Sequence, residues 1–485
     1  MKGKLMLAAF AVITGSVVFA QNVKAPNEGE KVTFLTPVSP GNQEFFQKAP
    51  TTLWQDNADE SWYNGTATEF TLTTAAQVAG LAKIVNAGNN FAGKTVTIGA
   101  DLDFGVHLWM PIGKSYQFPF SGIIKGNNKK VSNIFINLPD GDFVGFVGQM
   151  FNGSIENLTA ENVTISAKDT TGSIVGNLST NSTMDNCHAR NVNISVTGYN
   201  AGGLVGGLLT NSSISNSSAE GSVTGVNQIG GLVGTLWDKT NITKSYSKGI
   251  VSGQYIVGGF AGFSTMAFGP GRDNVITDSY TRSDVFASSE RVGGFYGGPQ
   301  ANAITKNVYS TGTVSNVTAS GGFAGFTQFM TVENVYYDYT NAPLDPVGMF
   351  EGPPATYDIT GKTTAEMKSQ QLADLLNASR PTAVWYYDAS KNDGYPILDF
   401  EELLSASNTA SAAKVTVYPT VVTDLIYVDS KEKTSSYRIA DFSGRIVKSG
   451  ILTGGKINLS DLSKGNYILL LQTGNQTSAH KFIRK

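Results

Sequence analysis

A five-residue block that ends in glycine returns along the middle of the chain at a nearly constant interval. Two copies read Gly202-Gly-Leu-Val-Gly206 and Gly230-Gly-Leu-Val-Gly234, and their last residues lie 28 positions apart. The last glycines of all seven copies are Gly148, Gly176, Gly206, Gly234, Gly262, Gly297 and Gly325. A repeat of this length indicates one small structural unit stacked on copies of itself, so residues 140 to 340 are predicted to form a rod.

Each repeat contains three short stretches in which apolar and polar residues alternate. In one unit they are Ile242 to Lys248, Gly249 to Ser252 and Val257 to Ala261. Alternation with a period of two indicates strands, and the unit has no room for a helix. A propeller blade usually needs four strands in about 40 residues, so three strands favour one coil of a solenoid. The predicted fold class is all-β: a right-handed parallel β-helix (solenoid) with short capping helices, followed by a small C-terminal antiparallel β-sandwich.

Equivalent residues of successive coils are expected to lie directly above one another, about 4.8 Å apart. Small residues flank one middle position in each unit, which suits a narrow interior and leaves the middle side chain facing outward. That column reads Thr159, His188, Ser218, Tyr246, Tyr280, Tyr309, Tyr336. Its four tyrosines, Tyr246, Tyr280, Tyr309 and Tyr336, are the candidate ligand-binding residues, because an aromatic strip can stack on sugar rings or on an apolar patch of a partner. The alternative is that they only stack on one another and stiffen the face.

The two ends of the chain differ from the repeats. Lys2 and Lys4 precede an apolar run that ends at Ala20, a pattern typical of a signal peptide over residues 1–20. No later stretch has 18 consecutive apolar residues, so no transmembrane span is expected. The predicted domains are an N-terminal extension at 21–65, a capped solenoid at 66–400, a linker at 401–413 and a C-terminal domain at 414–485. Helices that begin after Thr74 and Thr363 are expected to cap the two ends of the rod.

The repeats resemble GLUG-motif repeats of bacterial surface and secreted proteins, and this resemblance covers residues 66 to 400. The segment from 414 to the end resembles the type IX secretion system (Por-type) sorting domain, on Val417-Tyr-Pro419, Gly444-Arg-Ile-Val447 and Lys464-Gly-Asn-Tyr467. Thr420-Val421 stands where that family usually has Asn-Pro. The residues that carry the sorting resemblance are Pro419, Asp424, Gly444, Gly465, Tyr467, Lys481 and Lys485. The resemblance implies the type IX machinery as a partner, and passage through the periplasm to the surface or medium of a Gram-negative bacterium.

Catalytic motifs are absent from the sequence. The chain has three histidines and one cysteine, without His-Glu-x-x-His, Cys-x-x-Cys or Gly-x-Ser-x-Gly, so no metal site or cofactor is expected. Cys187 falls in an inward column and is interpreted as packing. A second outer column, Glu161, Arg190, Glu220, Lys248, Arg282, has alternating charges at first and is interpreted as a salt-bridge ladder. A cation held by Asp101, Asp103, Asp140 and Asp142 is the weaker alternative to solvated turns.

The net charge of −3 gives no reason to expect a nucleic-acid partner. The sequence therefore predicts an exported, non-catalytic surface or secreted protein that mediates adhesion, or binds a glycan or a host or cell-surface protein, along the solenoid. The alternative is a β-helical polysaccharide lyase or glycoside hydrolase, since some solenoids cleave acidic polysaccharides. A spacer without any ligand is the third reading.

Overall fold

The computed structural model describes residues 50–265, 271–299, 303–328, 330–351, 357–378, 380–401, 415–419, 421–430, 434–441, 446–452, 454–473 and 476–485. The predicted signal peptide lies outside these residues, as do most of the predicted linker and one sorting-signal residue, Gly444. The inserted segment between the coils that end at Gly262 and Gly297 is described only in part.

The repeats form a β-solenoid of about nine turns, as the sequence predicted. One wall is an eight-stranded parallel sheet in which each strand pairs with its equivalents in the neighbouring coils. Its strands are Val147–Phe151, Val175–Ser179, Val205–Leu209, Val233–Trp237, Ala261–Thr265, Tyr296–Pro299, Ala324–Thr327 and Val347–Phe350. We call this the outer-wall sheet.

A second parallel sheet of 19 strands wraps around the rest of each coil. Its strands are Glu69–Leu72, Thr95–Ile98, Leu102–Asp103, Ile123–Leu138, Ser154–Ala167, Thr171–Gly172, Thr183–Asp185, His188–Val196, Tyr199–Gly202, Ser213–Ser215, Ser218–Thr224, Asn227–Gly230, Asn241–Thr243, Tyr246–Gly258, Asn274–Gly293, Ala303–Ser310, Thr318–Gly321, Thr331–Asp338 and Ile359–Lys362. Apolar residues of both sheets fill the interior and form one continuous buried cluster.

Glycine and asparagine allow the tight corners between these strands. A Cβ atom added to Gly234 would lie 2.6 Å from the carbonyl carbon of Asn200 in the coil below, so no side chain fits there. Asn133, Asn162 and Asn191 have the left-handed backbone that asparagine tolerates. Their side-chain amides form a ladder, in which Asn162 Nδ2 donates to Asn133 Oδ1 at 3.0 Å and Asn191 Nδ2 donates to Asn162 Oδ1 at 2.8 Å. The asparagine side chains at these corners are thus hydrogen-bonded to one another from coil to coil.

The inward isoleucine column holds through most of the rod but shifts by one residue near its end. Isoleucine recurs once per repeat at Ile214, Ile242, Ile276 and Ile304, a pattern that predicts one inward column. The first three of these residues do pair in register. Ile304 instead pairs with Val275, so Thr305 takes the inward position and donates to or accepts from the Tyr296 hydroxyl at 3.0 Å. The expected place of Ile304 in this column was therefore wrong, because Ile304 lies five residues before Tyr309, whereas the isoleucines of the preceding coils lie four residues before their own column residue.

A helix covers the first end of the rod. It spans Ala75–Asn86, and the Thr74 hydroxyl accepts a hydrogen bond from the Gln77 amide at 3.2 Å. Val78, Leu81 and Val85 are buried in the main interior cluster. A short 3-10 helix, Trp54–Asn57, precedes it in the sequence. The predicted capping helix is confirmed.

The segment after the last coil differs from its prediction. In place of one helix there are two, Thr364–Met367 and Gln370–Asn377, separated by Lys368, whose backbone is not helical, and by Ser369, which caps the second helix. A two-stranded antiparallel pair, Trp385–Tyr386 with Ile397–Leu398, and a 3-10 turn, Asn392–Gly394, follow. We call residues 364–401 the covering segment.

The C-terminal residues form two small sheets that share one buried cluster. The first sheet contains Val415–Tyr418, Leu425–Ser430 and Lys456–Asn458. The second contains Val421–Val422, Thr434–Asp441, Ile446–Ile451, Gly465–Thr473 and Gln476–Arg484. Pairing is antiparallel except between Val421–Val422 and Gln476–Arg484, which run parallel. These small, mainly antiparallel sheets confirm the predicted antiparallel fold of the C-terminal residues.

Candidate functional site

The predicted tyrosine column exists. Backbone pairing joins His188 to Ser218, and then Tyr246, Tyr280, Tyr309 and Tyr336 in consecutive coils. The rings of Tyr246 and Tyr280 are stacked with centroids 4.9 Å apart, and those of Tyr280 and Tyr309 at 4.8 Å. These separations match the spacing between coils, so the parallel fold itself brings the rings into contact.

The expected exposure of this column was wrong. Tyr280 and Tyr309 have no exposed surface, and Tyr246 and Tyr336 are 6 and 8% exposed. The covering segment buries them with apolar side chains from its helices and its strand pair. These are Met367, Leu372, Ala373, Leu376, Val384, Trp385, Tyr395, Leu398 and Phe400. The aromatic strip is therefore the floor of an internal interface.

Three phenol groups of the column donate hydrogen bonds to acceptors within the protein. Tyr246 donates to Glu220 Oε1 at 2.8 Å, Tyr280 donates to Glu401 Oε2 at 2.8 Å, and Tyr309 donates to the carbonyl of Pro396 at 2.6 Å. Burial raises the pKa of all three tyrosines well above the ordinary value, so they stay protonated donors.

Charged residues at the edge of the column bind the covering segment instead of one another. Lys244 Nζ lies 2.8 Å from Asp399, and Lys248 Nζ lies 3.6 Å from Glu401. Arg282 pairs with Asp393 at 2.5 Å. The predicted register of Glu220, Lys248 and Arg282 is confirmed. The predicted salt-bridge ladder is wrong for them, since among the described residues Lys248 and Arg282 form their ion pairs with carboxylates of residues 393–401.

Glu401 is a largely buried carboxylate, with 11% of its side chain exposed. Burial raises its pKa above the usual value, and Lys248 partly offsets that effect. It also accepts a hydrogen bond from the amide of Leu398 at 3.0 Å. Glu401 thus holds together the covering segment, Tyr280 and a basic side chain of the solenoid.

His188 and Cys187 lie on the same coil and are both buried. The His188 ring stacks on Phe400 with centroids 5.7 Å apart, and its two nitrogens contact Ser218 Oγ at 3.0 Å and Asn186 Oδ1 at 3.1 Å. Burial lowers the pKa of His188 to about 3, so the ring is neutral. Burial raises the pKa of Cys187 to about 12, which leaves an unreactive thiol packed in the interior.

The four aspartates considered for a cation do not form a cluster. Asp101 Oδ1 accepts from the Lys130 amide at 2.9 Å. Asp103 Oδ1 accepts from the Gly105 amide at 2.8 Å and from Asn133 Nδ2 at 3.0 Å. Within the described ranges, no group of three or more His, Cys, Asp or Glu side chains is placed to hold a metal ion.

An open pocket lies at one corner of the solenoid, at the end of the strand Val233–Trp237. It has a volume of about 370 Å³ and is lined by Thr210, Asn211, Asp238, Lys239, Gly271 and Arg272. Trp237, which precedes Asp238, is 42% exposed on the outer-wall sheet. Sequence reasoning missed this site because the column that contains Trp237 does not repeat its residue type: from coil to coil it reads Phe151, Ser179, Leu209, Trp237 and Thr265. The change from Thr-Asn at residues 210–211 to Asp-Lys at 238–239 was the available signal.

Most of the sorting-signal residues contribute to the C-terminal sheets. The Tyr467 ring stacks on Phe482 with centroids 5.5 Å apart, and its hydroxyl donates to the Ser463 carbonyl at 2.8 Å. The Lys485 amide donates to the Val422 carbonyl at 2.9 Å. The remaining described ones are placed as follows: Pro419 after the first strand, Asp424 3.7 Å from Arg484, Gly465 at the start of its strand, and Lys481 opposite Ile468. Gly444 lies outside the described residues.

Comparison with known families agrees with both resemblances. The model of the secretion system C-terminal sorting domain matches residues 416–485, and the model of the GLUG motif matches residues 197–224. The chain therefore carries a type IX sorting tail, which makes it a secreted or cell-surface protein that interacts with the secretion machinery. No curated protein matches the chain significantly. Among the described residues, no helix has the length and apolar character needed to span a membrane.

Proposed function

We propose that this protein is a non-catalytic adhesion or binding protein whose ligand, a glycan or a surface protein, contacts the outside of the solenoid. A signal peptide at residues 1–20 would take it to the periplasm of a Gram-negative bacterium, and the sorting tail would then direct it across the outer membrane. The domain boundaries at residues 66, 401 and 414 are part of this proposal.

The observation that carries the proposal is the contrast between buried and exposed aromatic residues. Apolar side chains fill the interior, and the covering segment buries the tyrosine column. Seven aromatic side chains of the described solenoid remain between 38 and 55% exposed: Tyr116, Phe151, Tyr199, Trp237, Phe286, Tyr339 and Phe350. Exposed aromatic residues on a rigid wall, beside polar groups, are typical of binding surfaces.

The tyrosine column remains a second binding candidate only if the covering segment can leave it. Lys244, Lys248 and Arg282 all pair with that segment, so a ligand would have to displace these ion pairs as well as the apolar contacts. Displacement would expose four aromatic rings in a row. We therefore propose the exposed wall of the solenoid as the first candidate binding surface and the tyrosine column as the second.

An enzyme remains the alternative, because Glu220, Glu401, Lys248 and Tyr280 together have the group types that glycan cleavage uses. Tyr280 is fully buried, and Glu401 is already bound to Tyr280 and Lys248, which disfavours this alternative in the closed arrangement.

One experiment separates these functions. The full-length secreted protein is applied to a glycan array and to host-cell layers, and the same polysaccharides are incubated with it and assayed for reducing ends and unsaturated products. Saturable binding without product supports the proposal. Product formation supports the enzyme. If the protein neither binds nor forms product in any of the three assays, the remaining interpretation is a spacer without a ligand.

A further inference from the structure

The pocket beside Trp237 lies where the regular corner of the solenoid is interrupted. In the two coils below, this corner is Thr180-Asn181 and Thr210-Asn211, and the asparagine amides form a ladder. Asn211 Nδ2 donates to Asn181 Oδ1 at 2.6 Å. The next coil has Asp238 and Lys239 in the same left-handed conformation, with φ of 65° and 63°. The ladder therefore stops at Asn211, and its Oδ1 accepts no hydrogen bond from the residues that the structure describes.

Trp237 directly precedes Asp238 of the pocket lining and supplies an exposed apolar surface on the outer wall. It pairs with Leu209 in the coil below and with Thr265 in the coil above, and its carbonyl accepts a hydrogen bond from the Thr210 amide at 2.9 Å. The preceding residue, Leu236, points into the interior, so the Trp237 side chain lies on the outer wall. Within the described part of the chain, its indole has no ring-to-ring contact. One face of a large aromatic ring is thus available to a ligand.

The charge of the pocket is positive. Arg272 pairs with Asp238 at 3.0 Å, and the Arg272 side chain is still 48% exposed. Lys239 is exposed and has no ion-pair partner in the described ranges. One negative and two positive side chains give a formal charge of +1, so the pocket favours an anion. The volume of about 370 Å³ is within the usual range for ligand sites, about 300 to 1,000 Å³.

We propose that this corner, the Trp237 site, binds an acidic oligosaccharide through a uronic-acid residue. This inference rests on the proposed function and names its ligand class. The apolar face of a pyranose ring stacks on Trp237, the uronate carboxylate binds Lys239 and the free N–H groups of Arg272, and sugar hydroxyls donate to Asn211 Oδ1. A neutral sugar would lack the second of these interactions, and a simple anion would lack the first.

The test uses the full-length protein on an array of galacturonate, glucuronate and mannuronate oligosaccharides, each beside its carboxyl-reduced, uncharged form. We expect at least one uronate series to bind, with its uncharged form about tenfold weaker. Trp237→Ala should weaken binding about tenfold through loss of stacking. Lys239→Asn should have an effect of similar size, and asparagine tolerates the left-handed backbone at this position.

Val106→Ala is the control, since Val106 is a 65% exposed apolar residue that precedes the first strand of the outer-wall sheet and is not one of the exposed aromatics, and it should bind like wild type. Circular dichroism and the melting temperature establish that every variant is folded. Equal binding of wild type and folded Trp237→Ala would overturn the site but leave the proposed function standing. Binding of only uncharged glycans or only cells would overturn the ligand class. If nothing binds in any assay, both the site and the proposed function are wrong.

Discussion

Tyr280 donates the hydrogen of its phenol to the carboxylate of Glu401 over 2.8 Å, and the two residues are 121 positions apart in the sequence. Tyr280 belongs to the fifth of the seven repeats, and Glu401 is the last described residue of the covering segment. The hydrogen bond therefore joins the segment back to the middle of the rod. The covering segment therefore packs along the side of the solenoid and does not only cap its end.

The first prediction concerns this contact. Tyr280→Ala removes a fully buried ring stacked on two neighbours, so the free energy of unfolding should fall by about 3 to 5 kcal/mol. Tyr280→Phe keeps the ring and removes one hydrogen bond to a buried carboxylate, which should cost about 1 to 3 kcal/mol. Urea unfolding of both variants measures these losses.

Tyr199→Ala is the control for this series, because its side chain is half exposed and should change the free energy of unfolding by less than about 0.5 kcal/mol. If Tyr280→Ala is no more destabilising than this control, the covering segment does not pack on the column as described.

The second prediction concerns pH and His188. Its folded pKa of about 3 lies below the ordinary histidine value of 6.5, so the unfolded chain takes up the proton first when the pH falls. The contribution of neutral His188 to stability is therefore complete above pH 6.5 and is lost progressively between pH 6.5 and 3. At pH 4.5 the loss from this residue should be about 2 to 3 kcal/mol.

His188→Gln keeps a polar side chain but does not titrate in this range, so the difference between wild type and variant isolates the histidine. We expect the variant to lose less stability than wild type between pH 7 and pH 4.5, measured by urea unfolding at both values. Glu401 acts in the opposite direction, since its raised pKa favours the folded state as the pH falls, and it does so equally in both proteins. Parallel pH profiles would contradict the burial of His188.

The third prediction tests the close stacking of corners. Gly234→Ala places a methyl group 2.6 Å from the backbone of Asn200, and backbone atoms of a packed coil cannot move away cheaply. We expect a loss of about 2 kcal/mol or more in the free energy of unfolding. Gly65→Ala is the matched control, because nothing lies within 4 Å of its added Cβ, and it should be close to neutral. Similar stability of the two variants would mean that the coils are further apart than the structure has them.

The repeat itself made most of this fold predictable. Tyr246, Tyr280 and Tyr309 stand at equivalent positions, and parallel stacking leaves only one arrangement for them. The register of the glycine corners followed in the same way. Ile304 shows the limit of assigning a column by residue type alone, because it lies five residues before Tyr309 and this one-residue difference places Thr305 inward in its stead.

The covering of the column was not predictable from the same argument. Leu372, Trp385 and Phe400 lie outside the repeats, and an apolar face on a short helix does not reveal which surface it packs on. The charged residues gave the better clue. Lys248 and Arg282 follow one another in neighbouring coils, so they need acidic partners from elsewhere, and the covering segment supplies Glu401 and Asp393.

The last prediction concerns the sorting tail. Removing residues 414–485 should leave a stable solenoid in the periplasm, because the two C-terminal sheets have a buried cluster of their own. Removing only Lys481–Lys485 deletes Phe482, the stacking partner of Tyr467, and the amide that bonds Val422, so this shorter deletion should also block export. Ile451→Ser is the control, since Ile451 is 78% exposed and its replacement should leave export unchanged.

Fractionation of cells into periplasm, outer membrane and medium, with the chain detected by immunoblot, measures all three variants. Arrival of either truncated chain at the surface or in the medium at the wild-type level would show that these residues are not the export signal, whereas accumulation in the cytoplasm of wild type and variants alike would show that residues 1–20 are not a signal peptide.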